Sequence, residues 1–520
     1  MVTSFHRRVR KSASVTRASA TVLVAVLAVA SLMVLAPTTS ATDISDRIHT
    51  YTLENGLRVI MLERRHAPVV HFSLMFDVGG VDEPPGLGGI AHMVEHMAAM
   101  GTTSIGSLDP VAERHVLEEL EDVVAALQEA KRDAAAGADR VADIEDLSAR
   151  FAALKQEAEA LAQPYSVLSL LSANGAVGLN AWTTYDFTVY VVSLPSNRFE
   201  LWARLYADVW RDAVYRYFYS EADVVKEERL LRTEDNPSGY LAEIFVAEAF
   251  KTHPYGRPLI GSMEEIDNYT ARNAKAFWDA HYHPNRAVLA VAGDIDPQEA
   301  MAIIEKYFGG LAPGPEDRWD IPVEPPQDGE RRITVAFDAQ PQIMIGYHKP
   351  TYPHRDAYVF DVINAILTSG RTSRLFARMV NRDQIAASIS TAFGPARTRY
   401  PNLFYFQGTP RYPHGPEELE QAFYEEIERL KTELVDSETL QKVQNRVRAT
   451  FVNMLNSNDL GLVQELAAYE LFLGGWRNLF EYPDIINSIT AEEIRDVARR
   501  YLTEDNRTVA ILLPERGDAQ

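Results

Sequence analysis

Two spacings of apolar residues recur along the chain. Short alternating or continuous apolar runs predict strands at 57–62, 69–78 and 187–192, and again at 332–337 and 343–347. Turn residues separate the members of each pair, Ala67-Pro68 in the first half and Gln340-Pro341 in the second. Thr270 opens a helix-period segment that ends near Tyr282 and leads into an apolar run at 285–291. Thr490 opens a second such segment, ending near Tyr501 and followed by an apolar run at 506–511. The same helix-then-strand order appears twice, which predicts an internal duplication. A Pro-rich polar stretch at 312–331 is the expected linker between a first domain at 42–311 and a second at 332–520.

One segment breaks this pattern. Leu117, Leu120, Val124 and Leu127, then Ile144, Leu147, Phe151, Leu154, Ala158 and Leu161, repeat at three- and four-residue steps. They are interrupted at 134–137, and they predict an antiparallel helical hairpin inserted into the first domain at about 109–165. Packing on its own domain is the expected role.

The N-terminus differs from the rest. Arg7, Arg8, Arg10, Lys11 and Arg17 precede an apolar run at 20–36, and Thr39-Ser40-Ala41 offers small residues for cleavage. Residues 1–41 read as a secretory signal peptide, so the protein is expected to be exported to the periplasm or secreted, with an uncleaved anchor as the lesser alternative. The rest of the composition, 46% hydrophobic and 24% charged over 520 residues, is that of a globular multidomain protein. The first 41 residues hold five of the 51 Lys+Arg and none of the 73 Asp+Glu, so residues 42–520 carry a formal charge of −27. That excess of acid argues against a nucleic-acid partner. With no Cys, a metal ion would have to be held by His and carboxylates.

Candidate chemistry sits at His92-x-x-Glu95-His96. On a helix the two imidazoles lie four apart on one face, and Glu95 can reach a water on a shared metal without ligating it. The segment 221–229 is the best source of a third ligand. Glu228 would ligate and Glu221, two turns earlier, would sit behind it, with Glu227 and Glu234 as local competitors. In the second half residues 356–367 take the place of the His helix and contain neither His nor Glu, so only the first half can hold this metal. His253, His281 and His283 stand beside prolines at element ends and read as structural.

His92-x-x-Glu95-His96, the run Gly178-Leu-Asn180-Ala181-Trp-Thr183, and Glu221 to Glu228-Arg229 together resemble the inverzincin peptidases of the pitrilysin/insulinase (M16) superfamily. The similarity is closest to the bacterial two-domain members related to mitochondrial processing peptidase. It implies an α+β fold of two homologous α/β domains, each a mostly antiparallel sheet packed with helices. It implies one Zn²⁺ per chain on His92, His96 and Glu228, with Glu95 as catalytic base and Glu221 behind the ligands. It also implies an edge strand, with Asn180, Ala181 and Thr183 binding an extended peptide or unfolded protein segment. A homodimer, or a heterodimer with another chain of this type, is the expected assembly. One departure stands out: Val380 and Ala387 occupy the places where many relatives carry an Arg and a Tyr, with Arg378 or Arg382 as candidate substitutes. The function expected is zinc-dependent endopeptidase. The alternatives are a non-hydrolytic peptide-binding or assembly subunit that keeps its zinc site, and a metal-storage or sensing protein.

Overall fold

The computed structural model describes residues 44–515 apart from 99, 164–165, 316–317, 319, 396–398 and 458, so the expected signal segment lies outside the described residues. Of the residues up to Asp46, a helical turn at 44–45 is described. The body from Arg47 onward carries two sheets.

The first sheet is built from β1 (Ile48–Thr52), β2 (Arg58–Glu63), β3 (Val69–Phe76), β4 (Val177–Thr183), β5 (Thr188–Pro195) and β6 (Ala287–Gly293), in the order β1-β2-β6-β3-β5-β4. The second contains β7 (Arg331–Phe337), β8 (Gln342–Lys349), β9 (Ala386–Gly394), β10 (Asn402–Pro410) and β11 (Arg507–Pro514), in the order β7-β11-β8-β10-β9. Without β1 the two orders correspond strand for strand. In each sheet one pair is parallel, β2 with β6 and β7 with β11, and the other pairs are antiparallel. The registers match as well: Leu74 lies opposite Tyr190 and Leu289, and Ile345 opposite Phe406 and Val509. The duplication read from the pattern is therefore a duplication of topology.

Sequence accounts for which strands are central. Every residue of β6 is buried, as expected of a strand covered on both faces. β4 is an edge strand, exposed at its start, with Gly178 at φ +63° where its pairing with β5 shifts register. Helices cover both sheets. Thr270 caps Ala271–His281 through a capping box with Asn273, and Thr490 caps Ala491–Tyr501 through one with Glu493. The two halves also lend helices to each other. Pro237–Ala249, from the first half, packs on β7, β8 and β11, while Asp459–Phe472, from the second, packs on β3 and β6. Arg64 at the end of β2 pairs with Asp459, and Arg58 at its start donates to the Glu470 carbonyl at 2.9 Å, fixing both ends of the second helix.

The expected helical hairpin is Pro110–Ala135 and Val141–Ala160, whose own small core is Val116, Leu120, Leu154 and Ala158. Arg216 anchors it to the body. Its buried guanidinium donates to Glu113 at 2.7 Å and to the carbonyls of Thr102 and Ile105 at 2.9 and 2.8 Å.

Candidate metal centre

The helix Ile90–Met97 follows β3 and starts at Gly89, whose φ of +85° and close approach to the Ile260 carbonyl (2.1 Å from the place of a Cβ) admit only glycine. No side chain of Gly89 can cap this helix. Glu83 does so instead, its buried carboxylate accepting the N–H groups of Gly89 and Ala91 at 2.9 Å each. Burial pushes the Glu83 carboxyl up to about 8 even against those two bonds. Ile90, Met93, Val94 and Met97 are fully buried. That fixes the rotation of the helix and turns His92, Glu95 and His96 toward one side of it.

The second contributing helix, Phe218–Arg229, continues into a π turn at Leu230–Glu234. Arg229 locks it in place, donating to Glu243 at 2.9 Å, Glu234 at 3.1 Å and the Gly261 carbonyl at 2.7 Å. A Cβ on Gly261 would sit 2.1 Å from the Gly88 carbonyl, so the loop that receives Arg229 is the one that backs the start of the His helix. Both helices are thus referenced to the same few residues, and this brings Glu228 to the two imidazoles across 132 residues of sequence.

His92 Nε2 lies 3.7 Å from Glu228 Oε1, and His96 Nε2 lies 3.5 Å from Glu228 Oε2. One ligand atom from each of the three residues falls within 4.8 Å of the others. A tetrahedral ion with bonds of ~2.0–2.1 Å separates its ligand atoms by roughly 3.4 Å, so the cluster has the size and donor chemistry of a zinc site. Three protein donors leave a fourth position for water. Of the local competitors, Glu234 is engaged by Arg229, and Glu228 is the carboxylate in the cluster.

The surrounding residues prepare the cluster. His96 Nδ1 meets Glu221 Oε2 at 3.3 Å, which leaves Nε2 facing Glu228. Desolvation and the neighbouring His96 bring His92 down to about 4, which keeps its ring neutral and able to accept a metal ion. Burial opposes the charged form of His96, but its bonds to Glu221 and Glu228 prevail and raise it to about 9. The bond from His96 lowers Glu228, which Arg232 also contacts at 2.9 Å. Burial raises Glu95, partly offset by Thr183 Oγ1, which donates to Glu95 Oε2 at 2.9 Å.

Asn180 and Ala181 line a cavity of about 470 Å³ together with Glu95, His96 and Glu221, and its far wall is aromatic, with Phe76, Tyr190, Trp210 and Trp278 among its residues. Thr183, expected on the substrate side, turns its hydroxyl to Glu95 instead. Sequence reasoning also missed Glu83, whose place three residues ahead of the glycine-rich turn at 86–89 was the one available signal. The suggested substitutes for the absent Arg/Tyr pair are engaged elsewhere. Arg378 is held by Glu425, Glu426 and Asp383, and Arg382 donates to Asp383 at 2.6 Å. Val380 packs against the core of the second half. His253 is structural: its Nδ1 accepts the Tyr255 N–H at 3.1 Å.

Two family models match the chain, the insulinase-type peptidase family M16 over residues 58–123 and the M16 inactive domain over residues 268–447. The zinc protease PqqE of Helicobacter pylori is 25% identical over 472 residues, spanning 89% of this chain and 92% of that protein. An uncharacterized zinc protease of Bacillus subtilis, YmxG, is 22% identical over 469 residues, spanning 88% and 96%. Among solved structures, a protease from Helicobacter pylori superimposes with a TM-score of 0.73 at 23% identity, covering 90% of this chain and 99% of that one.

Proposed function

The chain belongs to the M16 peptidase superfamily, and from that premise we propose that it is a zinc-dependent endopeptidase acting on peptides or unfolded protein segments. The observation that carries this reading is the convergence of His92, His96 and Glu228 beside Glu95. Zinc held by the three ligands would lower the pKa of water toward ~7 and polarise the scissile carbonyl. The remaining work falls to the chain's own residues. Glu95 takes a proton from the attacking water and delivers it to the leaving amine as the C–N bond breaks, and its burial-raised pKa suits it to both roles. Thr183 holds one oxygen of Glu95 so that the other faces the substrate. Glu221 orients His96. The free edge of β4 around Asn180 and Ala181 pairs with the extended peptide backbone. The adjoining aromatic cavity takes a large apolar side chain next to the scissile bond.

A second reading, a peptide-binding subunit that does not hydrolyse, is favoured by Val380 and Ala387 standing in place of an Arg/Tyr pair. A second copy or a related chain that supplies donors to the oxyanion would reconcile the two, so the working form is proposed to be a dimer. Residues 1–41 support export. No helix among the described residues is long and apolar enough to cross a membrane. Cleavage of a quenched peptide by the purified chain, and its loss in Glu95→Gln, tests the proposal. Wild-type turnover in Glu95→Gln would eliminate Glu95 as the base, and a wild-type chain that binds peptides without cutting them would favour the second reading.

A further inference from the structure

A cavity larger than the catalytic one lies at the seam of the two halves. It measures about 630 Å³, and its lining includes Thr184 and Phe187 from the first half and Phe393, Phe451, Ala468 and Tyr469 from the second. It has no part in the mechanism above. Most of its lining is apolar or aromatic, with Asp186, Arg446 and Glu465 as its charged members. Tyr352 and Tyr482 also line it, and their hydroxyls donate to Asp361 at 2.7 and 3.0 Å, which leaves their rings toward the space.

Its position relates it to β4. Successive side chains of a strand point to opposite faces. Thr183 turns to Glu95, whereas Thr184, the next residue, lines the seam cavity. The catalytic cavity is lined at Leu179, Asn180 and Ala181, and from Ala181 to Thr184 an extended chain advances about 10 Å. Phe393 stands near the end of β9, the edge strand of the second sheet. The ends of both free edge strands therefore reach the cavity. The second half also approaches the start of β4: Leu460 of the helix Asp459–Phe472 lies 3.3 Å from where a Cβ on Gly178 would be. A peptide laid along β4 shares the strand's alternation. One set of its side chains faces the metal and the aromatic pocket, and the other set faces the second half.

We propose that the seam cavity is a second anchoring site for the same extended peptide, taking a bulky apolar or aromatic side chain three to five residues from the scissile bond. This rests on the peptidase reading for the path of the peptide, and it gives the half without metal ligands a direct part in selecting substrate. The occupant is a segment of the substrate itself, because the cavity continues the line of the strand that would bind it.

The test is a series of internally quenched peptides in which a single Phe is walked along an otherwise small and polar sequence. For wild type, Phe at one position three to five residues from the cleaved bond is expected to raise kcat/KM about tenfold over Ser, the scale of burying one aromatic side chain. Thr450→Trp places a large ring in the cavity from an exposed helix position, so it need not disturb the fold. It should abolish that gain and leave the preference beside the scissile bond intact, and Ala468→Trp should do the same from the helix Asp459–Phe472. Binding of labelled peptides to Glu95→Gln, followed by fluorescence anisotropy, reads the same preference without turnover. A gain that persists in both Trp variants, or a wild type with no distal preference, overturns the anchoring site and leaves the peptidase reading standing. A distal preference in binding with no cleavage by wild type would do the reverse.

Discussion

Replacing Arg399 by Met tests how the second half supports the half that carries His92, His96 and Glu228. Arg399 belongs to the second half, yet Asp77, Asp82 and Asp186, which it pairs with or donates to, lie in the first. Its guanidinium pairs with Asp77, meets Asp82 Oδ2 at 3.2 Å and donates to the Asp186 carbonyl at 2.7 Å, while its own N–H reaches the Asp186 carboxylate at 3.2 Å. The side chains of Arg399 and Asp82 are 10% and 2% exposed, so water cannot replace the lost cation. Asp82 in turn accepts the Gly79 N–H at 3.0 Å, immediately before Glu83, which caps the His helix. Met keeps the volume and removes the charge. Breaking a buried ion pair by deleting one partner typically costs about 3–5 kcal/mol, and Arg318 remains on Asp77 to soften the loss, so about 3 kcal/mol is expected. The sign with pH follows from Asp77. Its carboxyl is already raised by burial and held back by Arg399 and Arg318. Removing Arg399 raises it further, so the folded variant binds a proton that the unfolded chain, near its ordinary value, does not. The deficit should therefore be full near neutral pH and shrink as pH falls and Asp77 protonates. Urea unfolding followed by tryptophan fluorescence at about pH 7.5 and about pH 5.5 reads both effects. A loss under about 0.5 kcal/mol, or one that grows on acidification, would refute this reasoning.

Other outcomes are equally definite. Glu83→Gln turns an amide N–H₂ toward one of two backbone donors, so zinc affinity and kcat should both fall, by the equivalent of about 1–3 kcal/mol; unchanged values for both would remove Glu83 from the support of the metal helix. Gly89→Ala forces a Cβ to within 2.1 Å of the Ile260 carbonyl and should yield little soluble protein, so a wild-type melting curve would show the turn to be tolerant. Burial lowers His253 to about 4, so its contribution to stability is full above its ordinary value of 6.5 and is lost as pH falls from there toward 4; His253→Asn should flatten that part of the stability–pH curve. Chelation should lower the melting temperature as well as stop turnover, because an ion that binds only the folded chain stabilises it by mass action; a melt indifferent to chelator would speak against a tightly held ion.

Much of this was legible in the sequence because it is local. The strand pairs, the Thr270 and Thr490 caps and the five-residue His/Glu motif each depend on neighbours within a turn or two. Glu228 was reachable because Glu221 and Glu228 share a helix face. What escaped is what the chain assembles across distance. Thr183 is one residue of an ordinary-looking strand, and its bond to Glu95 exists only once β4 is the edge next to the His helix. Arg399 lies in a loop of the second half, and nothing local marks it as the cation shared by Asp77 and Asp82 of the first. The exchange of helices between the halves was likewise hidden, because Pro237–Ala249 and Asp459–Phe472 read as ordinary helices until a foreign sheet covers one face.

Zinc content per chain is the most direct test of the site. Elemental analysis of purified protein should give one zinc per chain for wild type and for Glu95→Gln, and less than about a tenth of that for Glu228→Ala after mild chelation and desalting. Wild-type protein without a stoichiometric transition metal, or Glu228→Ala that retains its zinc as tightly as wild type, would contradict the three-ligand centre on which the proposed chemistry depends.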